Sequence, residues 1–267
     1  MCGICDVQNI AEEDINLFDE DEINTLLIAI YAGIVTIYNL DVNLYLKTAK
    51  KLSEGITKGY GKTYSSVLFN SEDYIMLTSL RRNVYFFSAA KTYQQTKEIS
   101  SLLLKSGTVT PFNEFKKEAK RIFLEYNENY LRAEYNSSIS QSRTASQWQE
   151  IKKNEKYLPM LTYHTVGDGR VRPTHEALNN ISRPVNDKFW DKFMPPNGWN
   201  CRCTVLQTSD AEKTSLKDFK IPDDVPPIFQ FNAGKEKIVF SKKHPYFTHV
   251  PRKDKPFAKT NFGLPTV

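Results

Sequence analysis

Two cysteines stand one residue apart in "NGWNCRC", at Cys201 and Cys203, and His175 lies upstream in "DGRVRPTHE". Thiolate and imidazole are the donors zinc prefers, in sets of four arranged as a tetrahedron. His175, Cys201 and Cys203 with one further group would make such a set. His164 is the other histidine close by in sequence. Cys2 and Cys5, in "CGIC", offer a second route, a set of four thiolates. The Cys-x-Cys spacing is not diagnostic, because it lacks the usual two-residue hairpin between ligands. The competing reading is a thiol pair packed as small apolar groups beside Trp190 and Trp199. A disulfide between residues i and i+2 would be strained. The opening residues show no basic stretch followed by an apolar one, so reduced thiols are expected.

The same residues admit catalytic drawings. Cys201, His175 and Asp168 can be sketched as a nucleophile, a base and its orienting carboxylate. No glycine-rich oxyanion turn adjoins the cysteine, and Arg202 suits an ion pair equally well. Asp168, Arg170, Arg172, His175 and Glu176 form a dense charged cluster of the kind a nuclease or phosphotransfer site uses. A network of ion pairs is the favoured reading, since a loop-rich module with a small core needs fixed polar ties. "GKT" at residues 61–63 lacks the spacing of a phosphate-binding loop.

Elements must hold these groups in place. Apolar residues over 23–38 read as one helix. A second begins at Asp41, a good N-cap, and stops at Gly55. A long helix over 72–105 carries Ile75, Leu77, Leu80, Val84, Phe87, Ala90 and Tyr93 at three- and four-residue steps. A further helix opens after Thr110 and Pro111. Its stripe runs Phe115, Ala119, Ile122, Tyr126, Tyr130, Ala133, with a kink expected near Ser137–Ser140 and an end near Lys153. Beyond Tyr157 the pattern changes to two short strands, "YLPMLTYHTV" and "CRCTVLQT", with a helical turn capped by Thr174 between them. The fold class expected is α+β: an elongated N-terminal helical bundle, then a small α+β module, then an extended arm. The boundaries are an acidic N-terminal arm at 1–22, a helical domain at 23–156, the module at 157–209 and a proline-rich arm at 210–267. Seven of the 13 prolines fall between 222 and 267. Phe229, Phe231, Phe240, Tyr246, Phe247, Phe257 and Phe262 are too many aromatics for a bare linker, so this arm should order against something.

Charge is unevenly spread. Residues 1–46 contain nine acids and neither Lys nor Arg, leaving 36 basic against 22 acidic residues in the remainder. Such a body can lie against phosphate without reading sequence, or can simply be solvated. The apolar run at 23–38 would be about 24 Å long as a helix. That is short for a bilayer core of roughly 30 Å, so no stable membrane span is expected.

The run from Asp168 to Cys203 resembles the phage Mu F-like family of minor head proteins. The ordered residues are Asp168, Arg170, Arg172 and His175, then Phe189 and Trp190, then Pro195, Pro196, Gly198, Trp199, Cys201, Arg202 and Cys203. "NVYFFSAAKTYQQ" and "FKKEAKRIFLEYNENYLRAEYNSSISQSRTASQW" look similar too, so the resemblance covers about residues 55–207. It implies a structural protein of a tailed phage, acting in head morphogenesis and genome delivery. The implied partners are the portal protein, the major capsid protein or other head proteins, and double-stranded DNA bound without sequence preference. The implied place is the virion, in the head interior or at the portal vertex, with the host cytoplasm during assembly. No catalytic residue comes with the resemblance, and none is assigned. Some relatives carry a C-terminal toxin domain, which the segment after Gln207 does not look like. Related proteins often carry Cys-x-x-Cys where this chain has Arg172-x-x-His175. A metal site permits that swap of ligand type, which favours structural Zn2+ at His175, Cys201 and Cys203. Asp168, Arg170, Arg172, Trp190, Trp199 and Arg202 would then be structural. The alternative is a phage-encoded nuclease or transferred effector enzyme using the Asp168–Glu176 cluster.

Overall fold

A computed structural model describes residues 15–218 and 225–266. Its elements in chain order are α1 (Glu20–Tyr31), α2 (Val42–Tyr60), α3 (Glu72–Ser100), the hairpin β1 (Leu104–Lys105) and β2 (Thr108–Val109), α4 (Phe112–Leu124) and α5 (Leu131–Asn154). Then follow β3 (Met160–His164), α6 (Pro173–Glu176), β4 (Ser182–Pro184), α7 (Phe189–Phe193), β5 (Thr204–Thr208), α8 (Ala233–Glu236), α9 (Pro245–Thr248) and α10 (Lys255–Lys259). The fold class is α+β, mostly helix with small antiparallel sheets. Among the described residues no helix is long and apolar enough to cross a membrane.

Several helix ends differ from the sequence expectation, each for a local reason. The helix expected over 23–38 starts earlier and stops sooner. Asp19 and Glu22 close a reciprocal cap, with the Glu22 N–H donating to Asp19 at 2.8 Å and the Asp19 N–H to Glu22 at 3.1 Å. That cap fixes the start at Glu20. Gly33, at φ +71°, turns the chain out after Tyr31. The Asp41 cap forms as expected, its carboxylate accepting from the Leu44 N–H at 2.6 Å. However, α2 runs through Gly55 to Tyr60, and the left-handed glycine that follows is Gly61, at φ +77°. α3 ends at Ser100 rather than 105, because residues 104–109 fold into the hairpin around Gly107.

The described residues form two compact units. One contains Gly55–Leu80 and Asn136–Lys243. Its three-stranded antiparallel sheet has the order β4-β3-β5, with Leu161 opposite Gln207 and His164 opposite Thr204. Alternation along the strands puts Leu161, Tyr163 and Val205 into the core, where they join Trp148 and Ile151 of α5 and Phe189, Trp190 and Phe193 of α7. α5 is pinned to the sheet by side-chain amides. Gln147 donates to the Val205 carbonyl at 3.0 Å, and Gln207 to the Ile151 and Leu158 carbonyls at 2.9 and 2.8 Å. Gly234 of α8 lies so close to α5 that an added Cβ would sit 2.2 Å from the Trp148 side chain.

The other unit contains residues 15–54, Arg81–Tyr135 and residues 244–266. Its core draws Leu27 and Ile30 from α1, Tyr45 and Leu52 from α2, Phe87 and Tyr93 from α3, and Phe115 and Phe123 from α4. Tyr38 and Tyr93 both donate to Asp254, at 2.8 and 2.6 Å.

The C-terminal segment, expected to be extended, makes short helical turns instead. Asn232 caps α8 by accepting from the Gly234 and Lys235 N–H groups. Pro245 and Pro256 sit in the first turns of α9 and α10, where a missing N–H costs nothing. Phe229, Phe231, Phe240, Tyr246 and Phe262 are all buried.

Candidate metal centre

The centre is built where the β3–α6 loop meets the turn that precedes β5. Pro173 opens α6 after the extended Arg172, so Arg172 rather than Thr174 occupies the N-cap position. This short helix carries His175, which is only 3% exposed. On the opposing side, residues 195–203 form an irregular turn in which Asn200 adopts left-handed backbone, φ +55°, a conformation asparagine tolerates better than most residues. The Cys201 N–H donates to the Gly198 carbonyl at 3.2 Å. Both cysteines therefore sit in the turn ahead of the strand. β5 begins at Thr204, three residues later than the alternation of "CRCTVLQT" predicts.

This arrangement brings together the three residues singled out as donors. His175 Nδ1 lies 3.6 Å from Cys201 Sγ and 3.6 Å from Cys203 Sγ. One donor atom from each of the three residues can be chosen so that all lie within 4.8 Å of one another. Both thiols are free. The hydrogen bond with Cys203 holds the Cys201 thiol well below its usual range, helped by His175 and opposed by burial. Cys203 moves the opposite way, pushed up by Cys201 beside it and by burial. Two thiols and an imidazole at this separation form a donor set suited to zinc, and a poor one for magnesium or calcium, which take oxygen. His164 is not part of the group, and Cys2 and Cys5 lie outside the described residues.

The charged residues frame the donors. Asp168 accepts from both Nη atoms of Arg202 at 2.7 Å. That guanidinium holds the Asp168 carboxyl down to about 2. Arg172 donates to the Trp199 carbonyl at 2.8 Å, tying the loop to the turn. Arg170 is largely exposed, 3.6 Å from Asp168. Glu176 accepts from the Thr165 hydroxyl at 3.3 Å. Trp190 is fully buried in the sheet core and donates to the Pro184 carbonyl of β4 at 3.0 Å. Trp199 packs edge-on against Phe229, with ring centroids 5.0 Å apart.

Three ties went unread in the sequence. Asn197 is fully buried and accepts from the Tyr163 hydroxyl at 3.0 Å. Thr144 donates to the Pro195 carbonyl at 2.8 Å, and Asn136 donates to the Asn200 side chain at 3.1 Å. The two asparagines flanking "GW" were the available signal, since asparagine serves tight turns through both its side chain and its backbone.

Residues 104–206 match the family model described as Phage Mu protein F like protein. Over this region the chain is similar to the Mu F-like family. It is 37% identical over 82 residues to the "Putative capsid assembly protein F" of Escherichia phage Mu, a stretch covering 31% of this chain and 19% of that protein. It is 33% identical over 66 residues to the "Mu-like prophage FluMu F protein" of Haemophilus influenzae, covering 25% of this chain and 16% of the relative. The matched stretch thus spans less than a fifth of either relative's length. No solved structure matches. The matched region holds α4, α5, β3, β4, the start of β5 and every residue of the centre.

Proposed function

We propose that this Mu F-like chain is a phage head protein, docked on the portal or inner capsid near packaged DNA and acting in head morphogenesis and genome delivery. One observation carries the reading: residues 104–206, which include the whole Asp168–Cys203 run, match the Mu protein F-like family model, and 82 residues of the chain are 37% identical to a protein named for capsid assembly. The chemistry of the centre supports it. Asp168 is held by Arg202, Arg172 by a backbone carbonyl, and His175 Nδ1 is turned toward two thiols. Groups committed to internal ties fix a fold for docking better than they serve turnover. The excess of basic residues beyond residue 46 suits contact with DNA through its phosphates.

The test is a purified phage particle. The chain should be found in it at a fixed copy number, and a reconstruction should place it against the portal or inner shell. Its absence from particles that are otherwise complete would defeat the reading. The second reading, a nuclease or transferred effector using Asp168–Glu176, draws on the pocket beside the centre, which Arg170, Arg172 and Arg202 line. It requires turnover by the purified chain, lost in a folded His175→Ala variant.

A further inference from the structure

We propose that His175 Nδ1 and the sulfurs of Cys201 and Cys203 hold one zinc ion, whose fourth ligand is a water in the adjoining pocket. The ion fastens α6 to the turn before β5. This proposal is independent of where the chain docks.

The two nitrogen–sulfur distances are those of a tetrahedron around zinc. Zinc–sulfur bonds of about 2.3 Å and a zinc–nitrogen bond of about 2.05 Å, at the tetrahedral angle, set nitrogen and sulfur about 3.6 Å apart. Both separations from His175 Nδ1 are 3.6 Å. Hydrogen bonding alone accounts for them poorly. A ring nitrogen carries one proton or one lone pair, so it can serve one thiol well, not two equally. An ion between all three serves both. The ligands come from two segments, the cysteines lying 26 and 28 positions beyond the histidine. Their convergence therefore does not follow from local sequence.

Charge agrees with this. Two thiolates and a neutral imidazole cancel the charge of a divalent ion. The loaded site would add no net positive charge beside Arg170, Arg172 and Arg202. Thiolate donors disfavour hard cations, and mixed nitrogen and sulfur in a tetrahedron favours zinc. The fourth position faces a pocket of about 20 Å³ lined by Val166, Arg172 and Asn200 beside the three ligands. That is room for one water.

The experiment uses the full chain, purified without chelator from metal-replete culture, with zinc measured by plasma mass spectrometry. About one zinc per chain is expected. Cobalt exchanged into the site should give a thiolate charge-transfer band in the near ultraviolet and the intense visible bands of a tetrahedral ion. Cys203→Ser and His175→Ala should each lower bound zinc to below about a tenth per chain. The pair Cys2→Ser/Cys5→Ser should leave it unchanged. Circular dichroism separates loss of metal from loss of fold. Should His175→Ala not fold, the wild-type stoichiometry and cobalt spectrum still decide. Less than about a tenth of a zinc per folded wild-type chain, even after dialysis against zinc, overturns the proposal. So does zinc retained by folded Cys203→Ser, or zinc lost from the Cys2→Ser/Cys5→Ser chain, since either places the ion on other ligands.

Discussion

Asp168 grips Arg202 with both carboxylate oxygens, each 2.7 Å from a guanidinium nitrogen, across 34 residues of chain. A bidentate pair fixes the plane of both groups and so the path of the turn that carries the cysteines. Arg202 holds the Asp168 carboxyl down to about 2, below its usual 3.8. The sign follows from linkage. Above pH 4 the carboxylate is charged in both folded and unfolded chains, and its preference for the fold is fully present. Between pH 4 and 2 the unfolded chain takes up a proton first, so that contribution is lost as pH falls. Melting curves of wild type and Asp168→Asn should differ above pH 4 and converge toward pH 2. Parallel curves throughout would show that the pair does not couple to folding.

Gly59 of α2 and Ile139 of α5 meet without a side chain between them. A Cβ at residue 59 would lie 2.0 Å from the Ile139 carbonyl oxygen, and a backbone atom cannot swing aside as a side chain can. Gly59→Ala should therefore destabilise by about 3 kcal/mol, although alanine is the better helix former. Denaturant unfolding measures it. A neutral or stabilising result would mean that the helices separate easily at this crossing.

The buried pair Lys91 and Glu134 is 2.5 Å apart, with both side chains almost wholly enclosed. Lys91 also donates to the Tyr126 carbonyl at 2.6 Å, and the Tyr246 hydroxyl donates to Glu134 at 2.9 Å. Burial pushes the Lys91 ammonium down, and the attraction of Glu134 only partly offsets it. Removing one partner leaves an uncompensated buried charge, at a cost of about 4 kcal/mol. Glu134→Ala should lose about that much stability, and Lys91→Met on top of it should recover part of the loss. Additive losses in the double-mutant cycle would show that the two side chains do not act as a pair.

Much of this could be read from the sequence, and the exceptions have physical causes. Of the α3 stripe, Leu77, Leu80, Val84, Phe87, Ala90 and Tyr93 are buried, and only Ile75 is exposed. In the next helix the stripe holds for Phe115, Ala119, Ile122 and Tyr126 and then slips by one. Tyr130 is exposed, while Leu131 and Glu134 are buried. The cause is a π-helical segment at Glu125–Tyr130, whose wider turn spends an extra residue and rotates every later side chain. The disturbance lies there and not at Ser137–Ser140, because Ser137 and Ser138 are accommodated as buried residues within α5. The donor residues of the centre were legible because cysteine and histidine are few. Their supports were not, since Asn197, Thr144 and Asn136 are ordinary polar residues whose roles depend on contacts distant in sequence.

His244 caps α9, its Nδ1 accepting from the Tyr246 N–H at 3.2 Å. It packs against the rings of Phe87 and Tyr246, with centroids 4.9 and 4.5 Å away. Burial lowers its pKa to about 4, with the Lys91 and His249 charges adding to the effect. Protonation would also put a proton on the capping nitrogen and turn the acceptor into a donor facing an N–H. As pH falls through about 6.5 the unfolded chain binds a proton that folded His244 refuses until about pH 4. The contribution of His244 to stability should therefore be constant above pH 6.5 and fall by up to about 3 kcal/mol between 6.5 and 4. This window lies above the one set by Asp168, so the two can be told apart in one titration. His244→Asn keeps a side-chain acceptor at the cap position without a group that titrates. It should flatten the slope between pH 6.5 and 4 and leave the drop below pH 4 in place. An unchanged slope in that variant would show that His244 does not set the upper window.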